Sequence, residues 1–378
     1  MKTVSNVITL FVFILFSSQI FAEPVDANNV REVAAKGMSV TEPNTAISTQ
    51  LLVPVLKSKA MPKKERLQAL RTLFRDRKSF SKSEQLEFLR STKSIAADKQ
   101  EDARLRADAI WAMGGIGMQL KHEKTLSDQN IFDECKFLLQ TATDETENLQ
   151  VRRMSITAMG DLKMKEAVPI VKVLLADKAN LNRPEIARSA SIALAELEPN
   201  EAIQPVGQIL SNTTDPTVFG SAAYALGRTK SRDAIPLLVE NRLRLKDNLS
   251  VDNALETMSE TILEILEQPS DPNIVFVIQA TRSLWREEQK AEYTPLLQEI
   301  LANRTLLLDV RQEALKRLTE DADTLSLNAR KQQISIILSL VEGEEPFGEE
   351  VSKMRQILNA QLLPITRIEN QEGQEVTK

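Results

Sequence analysis

The sequence predicts an all-α chain organised as a helical-repeat solenoid, and three observations predict it. Leu, Ala, Glu, Lys and Gln dominate the segments after Val30, and alternating runs of β-branched or aromatic residues are missing. Apolar residues recur at helical spacing in stretches of about ten to eighteen residues, the usual globular range. Two sequence landmarks then repeat in step along the middle of the chain, which unrelated helices would not do.

Residues 1–22 read as a secretory leader, with Lys2 before the apolar run Val7–Phe16 and a small residue, Ala22, before Glu23-Pro24. The run is short for a membrane span of about 20 residues, so cleavage is expected, with an uncleaved anchor as the alternative. No transmembrane segment is expected once the leader is removed, and the chain is expected to be exported, periplasmic or secreted. Residues 23–44 form an extension expected to be partly disordered, and residues 45–100 a helical cap. Within the cap, Ser81-Lys82-Ser83-Glu84 has the spacing of a capping box ahead of Leu86, Phe88 and Leu89. The cap also concentrates basic residues: Lys57, Lys59, Lys63, Lys64, Arg66, Arg71, Arg75, Arg77, Lys78 and Lys82 stand against only Glu65 and Asp76. Between them Leu67, Leu70, Leu73 and Phe74 make an apolar stripe.

The repeats are clearest over residues 101–245. Val151-Arg152-Arg153-Met154-Ser155-Ile156-Thr157-Ala158-Met159-Gly160 aligns with Ile186–Ala195 and with Val218–Gly227, and Leu105–Gly114 is an earlier copy. A second landmark follows three of these: Glu166-Ala167-Val168-Pro169, Glu201-Ala202-Ile203-Gln204-Pro205 and Asp233-Ala234-Ile235-Pro236. Both landmarks advance by 35 and then 32 residues, whereas Met113 to Met159 is 46, implying an insertion around Lys121–Asn130. One helix pair cannot bury its apolar faces without neighbours, so a period of this length means stacked pairs. Ser155, Ala158, Ala190, Ala193, Ala222 and Ala225 are then small because adjacent helices must approach there. Asp215-Pro216 and Asp271-Pro272 each place a capping acceptor before a proline at the first helical position. Residues 246–363 form degenerate helical repeats and a C-terminal cap, with Val310-Arg311-Gln312-Glu313-Ala314-Leu315 the clearest echo, and residues 364–378 a disordered tail.

This pattern resembles the HEAT-like repeats first associated with phycobilisome lyases, in which Val-Arg-x-x-Ala-Ala-x-Ala-Leu-Gly precedes Asp/Glu-Ala-Val/Ile-Pro-x-Leu. Ala187 and Phe219 stand where those repeats prefer Arg, and Ala195 where they prefer Gly. The resemblance implies a right-handed α-α superhelix with helical capping regions. It also implies that one face of the Val-Arg helix lines a concave surface. Read across repeats, that face carries Ala107 and Trp111, Arg153 and Thr157, Arg188 and Ile192, then Gly220 and Tyr224, with Asp161, Glu196 and Arg228 at the next positions one turn on.

Composition narrows the function. A net charge of −5 argues against a general nucleic-acid binder, which needs a basic excess to displace phosphate counterions. One histidine (His122) and one cysteine (Cys135) exclude a zinc site of His and Cys and a disulfide framework. His122-Glu123 has no second histidine at metalloprotease spacing, and there is neither a Gly-rich phosphate loop nor a nucleophile elbow. Cys135, on the apolar face of Phe132, Leu138 and Leu139, reads as a buried small hydrophobe. The expectation is an exported scaffold that is not an enzyme and needs no metal or cofactor. Its binding ladder of Trp111, Arg153, Thr157, Arg188, Ile192, Tyr224 and Arg228 would take a protein or peptide, because aromatics and Arg dominate binding hot spots. The alternatives are an envelope-associated module docking its basic segment 57–82 on an anionic surface and a lyase-type enzyme of the same repeats.

Overall fold

In the computed structural model, which describes residues 47–245 and 248–360, α-helices follow one another with short connections and no strand occurs among the described residues. The leader 1–22, the extension 23–44 and the tail 364–378 lie outside the described residues. The chain divides into two compact units, one through Glu201 and one from Ala202.

The first unit opens with α1 (Ile47–Lys57), α2 (Lys63–Asp76) and α3 (Lys82–Ala97). The capping box that starts α3 is present: Glu84 N–H donates to Ser81 Oγ, and Ser81 N–H donates to Glu84 Oε2 at 2.8 Å. Next come α4 (Ala103–His122), α5 (Asp128–Cys135), α6 (Phe137–Thr143), α7 (Leu149–Asp161), α8 (Val168–Ala176), α9 (Lys178–Leu181) and α10 (Pro184–Leu197). The Val-Arg landmark lies on α4, α7 and α10, which pack side by side, α4 on α7 and α7 on α10. The insertion near Lys121–Asn130 is the connection from α4 into the first turn of α5. Phe132 and Leu139 are half-buried, while Cys135 and Leu138 are fully enclosed.

Close approach explains the small residues. Ser155, Ala158, Ala190 and Ala193 are all buried. A Cβ on Gly160 would lie 2.9 Å from Ala193 Cα, so nothing larger than hydrogen fits where α7 crosses α10. The equivalent Gly114 is looser, with its nearest neighbour, Ala158 Cβ, at 3.4 Å.

The boundary between the units falls within α11 (Pro199–Asn212). The second unit continues with α12 (Pro216–Thr229), α13 (Ala234–Asn241), α14 (Asn248–Thr257), α15 (Ser259–Leu266), α16 (Ile274–Ala280), α17 (Glu287–Ala302), α18 (Leu308–Asp323), α19 (Leu327–Val341) and α20 (Gly348–Ala360). Asp215 caps α12 as its sequence predicts, accepting from Thr217 N–H at 2.8 Å and Val218 N–H at 3.0 Å ahead of a first-turn proline. Asp271 differs. It accepts from Asn273 N–H at 2.8 Å and pairs with Arg232 at 2.9 Å, and α16 begins only at Ile274. The ion pair fixes Asp271 in a turn, so the helix starts later than the Asp-Pro signal implies.

Buried arginines tie the helices end to end. Arg66 Nε donates to Leu56 O at 2.9 Å, Arg106 Nε to Ala96 O at 3.0 Å, Arg152 Nε to Ala142 O at 3.1 Å and Arg311 Nε to Leu301 O at 2.8 Å. Each acceptor lies 10 residues earlier, in the last turn of the preceding helix, where carbonyls lack intrahelical donors. The fork of the same guanidinium then reaches forward. Arg66 meets Glu101 at 2.7 Å, Arg106 meets Glu147 in a bidentate pair at 2.9 and 2.8 Å, and Arg311 meets Glu344 at 2.8 Å. Arg152 finds an amide instead, Asn180 Oδ1 at 3.3 Å, and burial pulls its guanidinium below the ordinary value. Where Phe219 replaces this Arg, Arg244 stands 5.3 Å from the phenyl ring and donates to Leu210 O and Thr213 O, serving the end of α11 from the opposite side.

Candidate functional site

Trp111 sits midway along α4, 43% exposed, with its ring 4.0 Å from that of Phe74 on α2. Phe74 is held from the other side by Arg77, whose guanidinium carbon lies 3.8 Å from the ring centre. Burial lowers the pKa of Arg77, and its Nη1 donates to Phe74 O at 2.7 Å. Gly115 makes the stack fit: a Cβ there would lie 2.5 Å from Phe74 Cε2. The stack fixes Trp111 with one side packed and the rest in solvent. Two turns along the same face, Met118 is also exposed.

The neighbouring helices continue this stripe. On α7, Arg153 is half-buried and its Nε donates to Gln150 Oε1 at 3.0 Å, while Thr157 lies 3.2 Å from Ser189 Oγ of α10. On α10, Arg188 is exposed and Ile192 half-buried. Neither Arg153 nor Arg188 meets a carboxylate among the described residues. The first unit therefore brings Trp111, Arg153, Thr157, Arg188 and Ile192 onto equivalent positions of three adjacent helices. Ala107, their companion on α4, is buried.

In the second unit Tyr224 is 50% exposed on α12, and Arg228 one turn on is exposed as well. Two exposed side chains there escape sequence reading. Gly227 packs against Ala254, its Cβ position 2.8 Å from Ala254 O, which aligns α14 with α12 and sets Leu249 at the place equivalent to Gly220. Leu249 is exposed, and Trp285, between the turn Thr281–Ser283 and α17, is 65% exposed. No Ala-Leu-Gly landmark marks either segment, so the sequence offers no register for placing them.

The basic segment does not present ten free cations. Arg66 is buried in its pair with Glu101 and lies outside any accessible patch. Lys59 pairs with Asp98 at 2.6 Å, Lys63 with Asp102 at 2.7 Å, Arg71 with Asp108 at 3.3 Å and Arg75 with Asp76 at 2.8 Å. Lys57, Lys64, Lys78 and Lys82 are exposed and form no ion pair among the described residues. The charge run was legible in the sequence, but apart from Asp76 the carboxylates that answer it come from beyond the segment, at Asp98, Glu101, Asp102 and Asp108.

No three of His, Cys, Asp and Glu converge as metal ligands among the described residues, and none of their helices is long and apolar enough to cross a membrane. His122 is exposed at the end of α4.

Residues 179–258 match the family of HEAT repeats. No curated protein matches it. Among solved structures, the complex of CpcE and CpcF of phycocyanin lyase from Nostoc is similar at 16% identity and a TM-score of 0.41, over 85% of this chain and 99% of that one. Human deoxyhypusine hydroxylase is similar at 15% identity and a TM-score of 0.32, over 84% of this chain and 97% of that one. The expectation that the chain is not an enzyme is corrected by these matches, because both structures are named as enzymes. A helical-repeat chain without recognisable catalytic motifs is not thereby excluded from chemistry.

Proposed function

We propose that this chain is an exported helical-repeat scaffold that binds a protein or peptide through the outward stripe of its Val-Arg helices. The observation that carries the reading is the preformed stack Arg77–Phe74–Trp111, which holds an exposed indole in line with Arg153 and Arg188. A rigid aromatic beside arginines is the composition of a binding hot spot, because little side-chain freedom remains to be lost on contact. The HEAT repeats over residues 179–258 support the scaffold part of the reading. Export rests on the leader read in residues 1–22. The pairing of the basic segment with Asp98, Glu101, Asp102 and Asp108 weighs against docking on an anionic surface.

The test is capture of partners from native extract by the parent chain and by Trp111→Ala, with helical content compared by circular dichroism. Loss of a captured polypeptide at unchanged helicity is the expected result. An identical set of captured polypeptides in both would end the reading.

A further inference from the structure

At least eight described cations of the first unit are answered by a carboxylate from a following helix or connection. Lys59, Lys63, Arg66, Arg71, Lys93, Lys99, Arg106 and Lys163 pair with Asp98, Asp102, Glu101, Asp108, Glu134, Asp144, Glu147 and Glu196 respectively. Arg153 and Arg188, like Lys57, Lys64, Lys78 and Lys82, meet no carboxylate among the described residues, and these two occupy equivalent positions of α7 and α10. Arg153 is held only by Gln150, and Arg188 has no partner among the described residues. Adjacent packed helices lie about 8–10 Å apart, so the two guanidinium groups and the Trp111 indole form a row with a repeat close to the three-residue turn of an extended polyproline-II chain, about 9 Å, which returns every third side chain to one face.

We propose that this row takes an extended acidic peptide with one apolar side chain seated on Trp111 and Met118 and carboxylates on Arg153 and Arg188. The inference rests on the binding function proposed above and adds the chemistry of the partner. Three features support it. The unanswered charges at the Arg153–Arg188 end of the stripe are positive, with the exposed carboxylate Asp161 two turns on from Arg153, so acidic side chains over that end complete the pattern of pairing. Guanidinium groups present fixed forks that match carboxylates bidentately. Trp111 supplies an apolar platform already immobilised by Phe74 and by the close approach at Gly115. The occupant is an extended chain, whose every third side chain meets one helix of the row in turn.

The experiment uses the full chain carrying Trp285→Phe, which leaves Trp111 as its only tryptophan fluorophore. The probes are a synthetic peptide of glutamates and serines around one central leucine, its lysine-for-glutamate counterpart, and the glutamate peptide with serine in place of leucine. The glutamate–leucine peptide is expected to shift the Trp111 emission and to weaken steeply with added salt. Exchanging its leucine for serine is expected to cost at least about tenfold in affinity. In the double variant Arg153→Glu, Arg188→Glu the preference is expected to switch to the lysine peptide, a gain that a misfolded chain cannot show. Equal binding of the two charged peptides, no binding of any peptide, or indifference to the leucine would each overturn the proposal. If partner capture still depends on Trp111 in that case, the scaffold reading stands and only the acidic chemistry fails.

Discussion

Replacing Arg106 by methionine isolates the worth of one buried arginine link. The side chains of Arg106 and Glu147 are only 5% and 6% exposed, and Arg106 also satisfies Ala96 O. Methionine keeps the volume of the stem but leaves Glu147 enclosed without its partner. Breaking a buried pair from one side costs about 3–5 kcal/mol, most of it from the stranded charge. For a unit of this size that lowers a melting midpoint by roughly 10 °C. Burial pushes the Glu147 carboxyl up, but the Arg106 fork and the Asn148 N–H together outweigh it and hold the group below the usual carboxylate range. A carboxylate with a depressed folded pKa contributes stability above its unfolded value and loses it as pH falls through the folded one. In Arg106→Met burial is opposed only by the Asn148 N–H and the Lys99 charge, so the Glu147 carboxyl rises relative to the parent and protonates earlier as pH falls. The difference between parent and variant is therefore largest near neutral pH and shrinks as pH falls into and below the ordinary carboxylate range. Urea titrations followed by circular dichroism at neutral and acid pH measure it. A second variant, Arg106→Met with Glu147→Leu, is expected to recover most of the loss, since apolar replacement of both partners is often close to neutral. A loss below about 1 kcal/mol, or no recovery in the double variant, would refute the link as described.

Gly160→Ala places a methyl group 2.9 Å from Ala193 Cα, and the resulting helix displacement is expected to cost about 1–3 kcal/mol, more than the gain in helix propensity. Gly348→Ala, where nothing lies within 4 Å, is expected to cost nothing, and equal urea midpoints for the two variants would contradict the close approach. Burial pushes the Cys135 thiol up to about 12, with the nearby Glu134 charge adding to it. Ellman's reagent at about pH 8 is therefore expected to label the folded chain no faster than it unfolds, and prompt labelling would show the thiol to be accessible.

The helical repeat was legible because its cause is local. Ala158, Ala193 and Gly160 are small since two helices meet there, and that requirement recurs at each repeat as a pattern in sequence. The capping box at Ser81 and the cap at Asp215 were legible for the same reason, both partners lying within three residues. Asp271 was misread because its partner, Arg232, is 39 residues away. Distance in sequence also hid the fate of the basic segment: Arg66 looks like one more surface cation until Glu101 and Leu56 are found around it. Of the candidate stripe, Trp111 and Tyr224 were placed by register, but the support of Trp111 by Phe74 and Arg77 was not readable. Trp285 was missed altogether, since it follows a short turn in a region where the repeat signature has decayed.

The arginine links also change what counts as one module of this chain. Arg106 belongs to α4 by covalent order, yet it gives one hydrogen bond to the end of α3 and two to the connection before α7. A cut made after α6 would preserve every helix of the preceding pair and still leave the Arg106 fork without its carboxylate, bonded only to Ala96 O. Shortened or grafted versions are sound only when each retained arginine keeps the acidic or amide residue that follows its pair, so the natural cassette ends inside the connection, at residues such as Glu147, and not at the last helical turn.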